Sequence, residues 1–232
     1  YNKLNTGSVK LIKETNTGKN LSGWQIGLYT DAACTNSVSG SPFTTGADGT
    51  VTVSGLQKGT YYAKEISTDD PYWEFDTAVK SVTVAISKTA EVTFTNTHYG
   101  RIKIRKTTNT GNQLGGWTFR VRDSEGNSYG DFTTDENGYA CTQNLPLGWY
   151  TVVELPTEDN YWLTELGFHD VTVKAGETTV DTWLNKEQGL VWFYKKTNTG
   201  QSVEGWHITV YSDEVCTQKV GTLITNEDGR AG

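Results

Sequence analysis

The stretch Gly7-Ser8-Val9-Lys10-Leu11-Ile12-Lys13-Glu14-Thr15-Asn16-Thr17-Gly18 returns over 100–111 and again over 189–200, each copy ending in Asn-Thr-Gly. Strand alternation puts Val9, Leu11 and Lys13 on one face, then Ile102, Ile104 and Lys106, then Val191, Phe193 and Lys195. The third member of each apolar row is a charge. A lysine that closes a core-facing row is either a rim residue with its amine reaching water or a buried amine with a task.

The copies begin 93 and 89 residues apart in a chain of 232. Such periods are too long for a solenoid unit and suit small domains, each with its own core. The hydrophobic share is 35%, but 8 Trp, 12 Tyr and 7 Phe can fill thin β cores. The formal charge of -7, with no run of Lys or Arg, argues against a nucleic-acid partner. No continuous apolar run suits a membrane helix, and the first residues lack a signal-peptide pattern, so the segment reads as mature or excised and not membrane-inserted. Cys34, Cys141 and Cys216 fall one per repeat, which leaves no disulfide within any repeat; they read as small, half-buried residues.

Residues 1–6 read as the last strand of a preceding domain, with Asn2 in the role that Asn96 takes later. The repeats are expected over 7–98 and 99–187, with 188–232 as the N-terminal half of a third. Short linkers, His98-Tyr99 and Glu187-Gln188, should hold neighbouring domains stiffly. Each repeat next carries a period-2 strand opened by tryptophan: Trp24, Trp117 and Trp206, which read as core. Asp48-Gly49, Asn137-Gly138 and Asp228-Gly229 mark turns needing positive φ. Two further rows then end in polar residues: Tyr61, Ala63 and Glu65, with Tyr150, Val152 and Glu154; and Val92, Phe94 and Asn96, with Asp181, Trp183 and Asn185. No helical period of useful length appears. The expected fold is all-β, one immunoglobulin-like sandwich per repeat.

A desolvated lysine loses its proton readily and becomes a nucleophile, while a carboxyl desolvated beside it is favoured in its protonated form. Such a carboxyl can bond the asparagine side-chain carbonyl and shuttle the proton that departing ammonia needs. The product is a Lys–Asn isopeptide bond, Lys13 to Asn96 under Glu65, and Lys106 to Asn185 under Glu154. Condensation would also relieve the cost of burying three polar groups. Lys195 has no such partners in this chain and is expected to stay a free amine.

These residues, in this order, spacing and phase, resemble the Cna B-type (SpaA-like, prealbumin-like) domains of Gram-positive adhesins and pilins. In that family a first-strand lysine bonds a last-strand asparagine under a glutamate, and the resemblance places those roles on the two sets just named. The chain departs from the family in having Gly-Trp-x-Ile or Gly-Trp-x-Phe for Gly-Ala-x-Phe. It departs again in having Asp70-Pro71-Tyr72-Trp73 and Asp159-Asn160-Tyr161-Trp162 after the glutamate. The resemblance implies a stalk or pilus-like segment at the extracellular surface, wall-anchored through a region outside this segment, with neighbouring domains as its partners. It would be no enzyme beyond its single-turnover self-crosslinking. A second reading is a glycan- or host-matrix-binding module using Trp149, Trp192 and the Tyr72-Trp73 and Tyr161-Trp162 loops. No cofactor is expected. His98, His169 and His207 have neither equivalent positions nor metal-ligand spacing, so no metal site is expected either.

Overall fold

A computed structural model describes residues 5–157 and 161–232. Asn2, Glu158, Asp159 and Asn160 lie outside the described residues, and with them most of the expected leading strand and half of the second aromatic loop.

The first repeat contains eight strands: β1 (Thr6–Thr15), β2 (Gln25–Tyr29), β3 (Phe43–Thr44), β4 (Thr50–Gln57), β5 (Gly59–Glu65), β6 (Trp73–Glu74), β7 (Lys80–Val84) and β8 (Thr89–His98). They form two four-stranded sheets, ordered β4-β1-β8-β6 and β3-β2-β5-β7. Val9, Leu11, Ile26, Leu28, Ala63, Val84 and Phe94 fill the space between them. The expected two-sheet sandwich is therefore present. The first and last strands lie side by side and run parallel, with Lys13 opposite Phe94 and Thr15 opposite Asn96. Because side chains alternate, Lys13 and Asn96 share the inner face as diagonal neighbours.

The second repeat repeats this plan with β9 (Arg101–Thr108), β10 (Thr118–Asp123), β11 (Ser128–Thr133), β12 (Tyr139–Cys141), β13 (Gly148–Glu154), β14 (Trp162–Leu163), β15 (His169–Val173) and β16 (Thr178–Glu187). Their sheets are ordered β12-β9-β16-β14 and β11-β10-β13-β15. The third repeat has only β17 (Phe193–Tyr194) paired with β20 (Arg230–Ala231), and β18 (His207–Tyr211) paired with β19 (Lys219–Ile224). Val191 and Trp206 are exposed there, so the row that is core in the first two copies is not core in the third.

Two compact units can be distinguished by their contacts. One holds the first repeat with most of the second; the other holds the third-repeat strands with the far loops and last-strand end of the second. Within the former, the joint between the first two repeats is Tyr99 and Gly100, one position later than the linker read from the sequence, since His98 still belongs to β8 and Arg101 opens β9. Tyr72 Oη lies 2.7 Å from Thr178 Oγ1, Asn144 Nδ2 donates to Pro71 O at 2.7 Å, and Gly176 N donates to Tyr99 O at 2.8 Å. The Arg101 guanidinium stands 5.1 Å from the Tyr72 ring centre, completing a polar, aromatic joint.

Cys34 is half-buried, as expected, whereas Cys141 and Cys216 are exposed; all three are free. No helix is present among the described residues that is long and apolar enough to cross a membrane.

Candidate functional site

Three strands deliver the central residues of the first repeat. β1 and β8 belong to one sheet and β5 to the other, so a contact from Lys13 or Asn96 to Glu65 bridges the sandwich. Lys13 is 1% exposed, Glu65 5% and Asn96 0%. Lys13 Nζ lies 2.7 Å from Glu65 Oε1, and Asn96 Nδ2 donates to the same oxygen at 3.1 Å. The ion pair gives the ammonium no aligned hydrogen bond, and Glu65 Oε2 is buried without a hydrogen-bond partner. Buried groups so poorly served are costly in their charged forms. Burial accordingly pushes the Lys13 amine below its ordinary value of 10.5, against the opposing pull of Glu65.

The asparagine amide is oriented by a backbone group. Asp76 N donates to Asn96 Oδ1 at 2.8 Å. A backbone N–H must meet an oxygen, so the amide turns its carbonyl to Asp76 and its NH₂ to Glu65. This differs from the expectation that the carboxyl would face the carbonyl: Glu65 touches the nitrogen, and the oxygen is held by the main chain.

In the second repeat Lys106 is 1% exposed and its Nζ lies 2.8 Å from Glu154 Oε1. Asn185 is fully buried on β16, and Glu165 N donates to its Oδ1 at 3.1 Å. Lys195 of the third repeat is half-buried, with its Nζ 3.9 Å from the Trp206 ring centre.

The tryptophans do more than fill space. Lys13 Nζ and Lys106 Nζ each stand 4.4 Å from the ring centres of Trp24 and Trp117, which are 8% and 4% exposed. An indole face stabilises a desolvated cation and fixes where the amine sits. Each ring is held by its own indole N–H, donated to Asn20 O at 2.6 Å and Gln113 O at 2.7 Å. Thr45 and Thr134, both buried, accept the backbone N–H of Trp24 and Trp117 at 3.1 Å. The Asx-Gly turns meet the lysines from the other side. Gly49, with φ 77°, accepts Lys13 N at 2.8 Å, and Gly138, with φ 82°, accepts Lys106 N at 2.7 Å.

Two site features escape a reading of the strand rows because they lie in turns. Asn16 of the repeated Thr-Asn-Thr-Gly turn accepts His98 N at 2.8 Å and donates to His98 O at 3.0 Å. Asn109 makes the same pair of bonds with Glu187, at 2.7 and 3.2 Å. The other feature is the acidic residue three positions after Trp73 and Trp162, namely Asp76 and Glu165. Both signals were present in the sequence as repeated spacings, but a backbone donor leaves no mark on residue type.

Trp73 stacks on His98 at 3.8 Å between ring centres, and Trp24 meets Trp73 edge-on at 5.0 Å. Trp149 and Trp192 are 66% and 51% exposed, consistent with positions out of phase with the core rows. No cluster of metal-ligating side chains occurs among the described residues.

A pair of complete, topologically matched sandwiches, each with a lysine–glutamate pair bridging its sheets, defines a tandem β-sandwich protein of prealbumin type. The chain belongs to the SpaA prealbumin-like fold domain family, whose pattern matches residues 7–98 and again 100–187. Among solved structures it is similar to the Bacillus anthracis TIE protein, at 24% identity and a TM-score of 0.45; the match covers 98% of this chain but 42% of that one. It is also similar to the shaft pilin SpaA of Lactobacillus rhamnosus GG, at 14% identity and a TM-score of 0.37, covering 80% and 99% of the two chains. A third is GBS52, the minor pilin of Streptococcus agalactiae, at 17% identity and a TM-score of 0.37, covering 82% and 100%. No curated protein sequence matches the chain.

Proposed function

We propose that this chain is a structural stalk or pilus-like segment of a Gram-positive cell-surface adhesin, whose complete repeats lock themselves with Lys–Asn isopeptide bonds. The observation that carries this reading is the position of Glu65 Oε1, 2.7 Å from Lys13 Nζ and 3.1 Å from Asn96 Nδ2, with all three residues buried. One carboxylate oxygen thus touches both the nucleophile and the leaving group. It can take a proton from the amine and deliver it to the departing ammonia. The same chemistry is proposed for Lys106, Glu154 and Asn185 from their equivalent types and spacing. Lys195 would remain a free amine.

The bond would tie the first strand to the last. Tension entering at one end of a sandwich would leave through the crosslink, bypassing most of the fold. The 83-residue separation of Lys13 and Asn96 implies, by analogy with disulfide loop closure, about 4 kcal/mol of stabilisation. The segment acts on no external substrate, its glutamates working once on their own chain. An extracellular surface location is supported by membership of the SpaA prealbumin-like family, and wall anchorage is proposed with it. Proteolysis followed by tandem mass spectrometry tests the assignment: a branched peptide joining Lys13 to Asn96 supports it, and separate linear peptides carrying both residues would refute it.

A second reading, recognition of a glycan or host matrix protein, is favoured at one position by the 66% exposure of Trp149. Tyr72 is instead engaged at the joint between repeats. Loss of glycan-array or matrix binding in Trp149→Ala would support that reading.

A further inference from the structure

In both complete repeats a backbone N–H, not a side chain, holds the oxygen of the buried asparagine amide. Asp76 N donates to Asn96 Oδ1 at 2.8 Å, and Glu165 N donates to Asn185 Oδ1 at 3.1 Å. Each donor comes from the loop three residues beyond a tryptophan, Trp73 or Trp162, that sits on a two-residue strand beside the last strand. In both cases the donor residue also uses its carboxylate to fix the loop. Asp76 Oδ1 accepts Ala78 N at 3.2 Å and its Oδ2 pairs with Lys80 Nζ at 2.5 Å, while Glu165 Oε2 accepts Leu184 N at 3.1 Å. Lys80 Nζ is tied in turn to Thr93 O at 2.6 Å on the last strand. Different side-chain anchors thus hold the same backbone donor on the same kind of acceptor.

Resting on the isopeptide reading, we infer that the Trp-x-x-Asp/Glu loop is an oxyanion-holding element for self-crosslinking, with Asp76 N–H and Glu165 N–H as its donors. The step begins with transfer of one proton from the Lys13 ammonium to Glu65. The neutral Nζ attacks Asn96 Cγ, forming the C–N bond while the carbonyl π pair moves onto Oδ1. Negative charge therefore develops on the atom that Asp76 N–H already holds. Glu65 then gives its proton to Nδ2 and recovers one from the attacking nitrogen. The Cγ–Nδ2 bond breaks, the carbonyl re-forms, ammonia leaves, and Glu65 ends protonated. A preorganised donor aimed at a developing oxyanion is worth roughly 100- to 1,000-fold in rate.

The test is cell-free translation of the full chain with the α-hydroxy analogue of aspartate at position 76, which exchanges the N–H for an ester oxygen and keeps the side chain. Ammonia loss is followed in time by intact mass, and folding by near-ultraviolet circular dichroism. The first-repeat loss is expected to slow about 100-fold, with the second-repeat loss unchanged. Asp76→Ala, which keeps the N–H but loses the side-chain anchors to Ala78 N and Lys80 Nζ, is expected to slow first-repeat closure by less than the ester does. Should the ester chain fail to fold, the corresponding α-hydroxy substitution at Glu165 provides the same comparison in the second repeat. Closure of the ester chain at the unmodified rate, or equal slowing in Asp76→Ala, would overturn the inference while leaving the isopeptide reading intact. An unmodified chain that loses no ammonia would remove that reading, and this inference with it.

Discussion

Asn16 is bonded through both ends of its side-chain amide to the backbone of His98, accepting the N–H at 2.8 Å and donating to the carbonyl at 3.0 Å. The pair imitates one rung of a β-ladder where the strand β1 has already turned away. It secures the last strand just beyond Asn96. In Asn16→Ala two backbone groups of the last strand lose these partners, at a cost of about 1–3 kcal/mol. Urea unfolding should show that loss in an Asn96→Ala background, where no crosslink can form, and crosslinking of the otherwise native chain should be slower.

Glu65→Gln keeps the shape of the side chain and a polar contact with Asn96 but removes the carboxylate that receives the amine's proton. The first-repeat crosslink should then fail to form, and intact mass should rise by one ammonia plus the change of residue. The variant should also leave Lys13 as a buried ammonium without its counter-ion. That penalty is about 3–5 kcal/mol, measurable as a lowered denaturant midpoint against Asn96→Ala, which lacks the crosslink but keeps the pair.

His98 provides a pH signature. It is 6% exposed, stacked on Trp73, and neither ring nitrogen has a hydrogen-bond partner. Burial holds its pKa below the ordinary 6.5, with Asp70 pulling weakly the other way. The unfolded chain therefore binds a proton that the folded chain refuses. Its contribution to stability is fully present above pH 6.5 and is lost as the pH falls below that value towards the folded pKa. Thermal midpoints measured between neutral pH and mild acid should decline over this window, and His98→Phe should flatten the decline.

The strand rows were legible in the sequence because burial on one face imposes a period of two, and the charged end of each row stood out against it. Val9, Leu11 and Lys13 are all buried, as are Tyr61, Ala63 and Glu65. Less legible was everything that depends on main-chain direction. Nothing in the residue types shows that β1 and β8 run parallel, or that Asp76 turns its N–H towards Asn96. The phase of the tryptophans points to the core, where Trp24 and Trp117 are buried while Trp206 is 45% exposed, and the position of the buried pair over the amines depends on the spacing between sheets. The third repeat shows the limit from the other side. Its row has the same pattern, yet Val191 is 64% exposed because pattern alone does not supply an opposing sheet.

The central claim, that the complete repeats crosslink themselves, is tested most directly by the intact mass of the purified, unfolded chain. The account predicts a mass below that of the sequence by two ammonia molecules. Lys13→Ala and Lys106→Ala should each restore one of them after allowance for the residue change, and Lys195→Ala should restore none. A chain at its full sequence mass would contradict it.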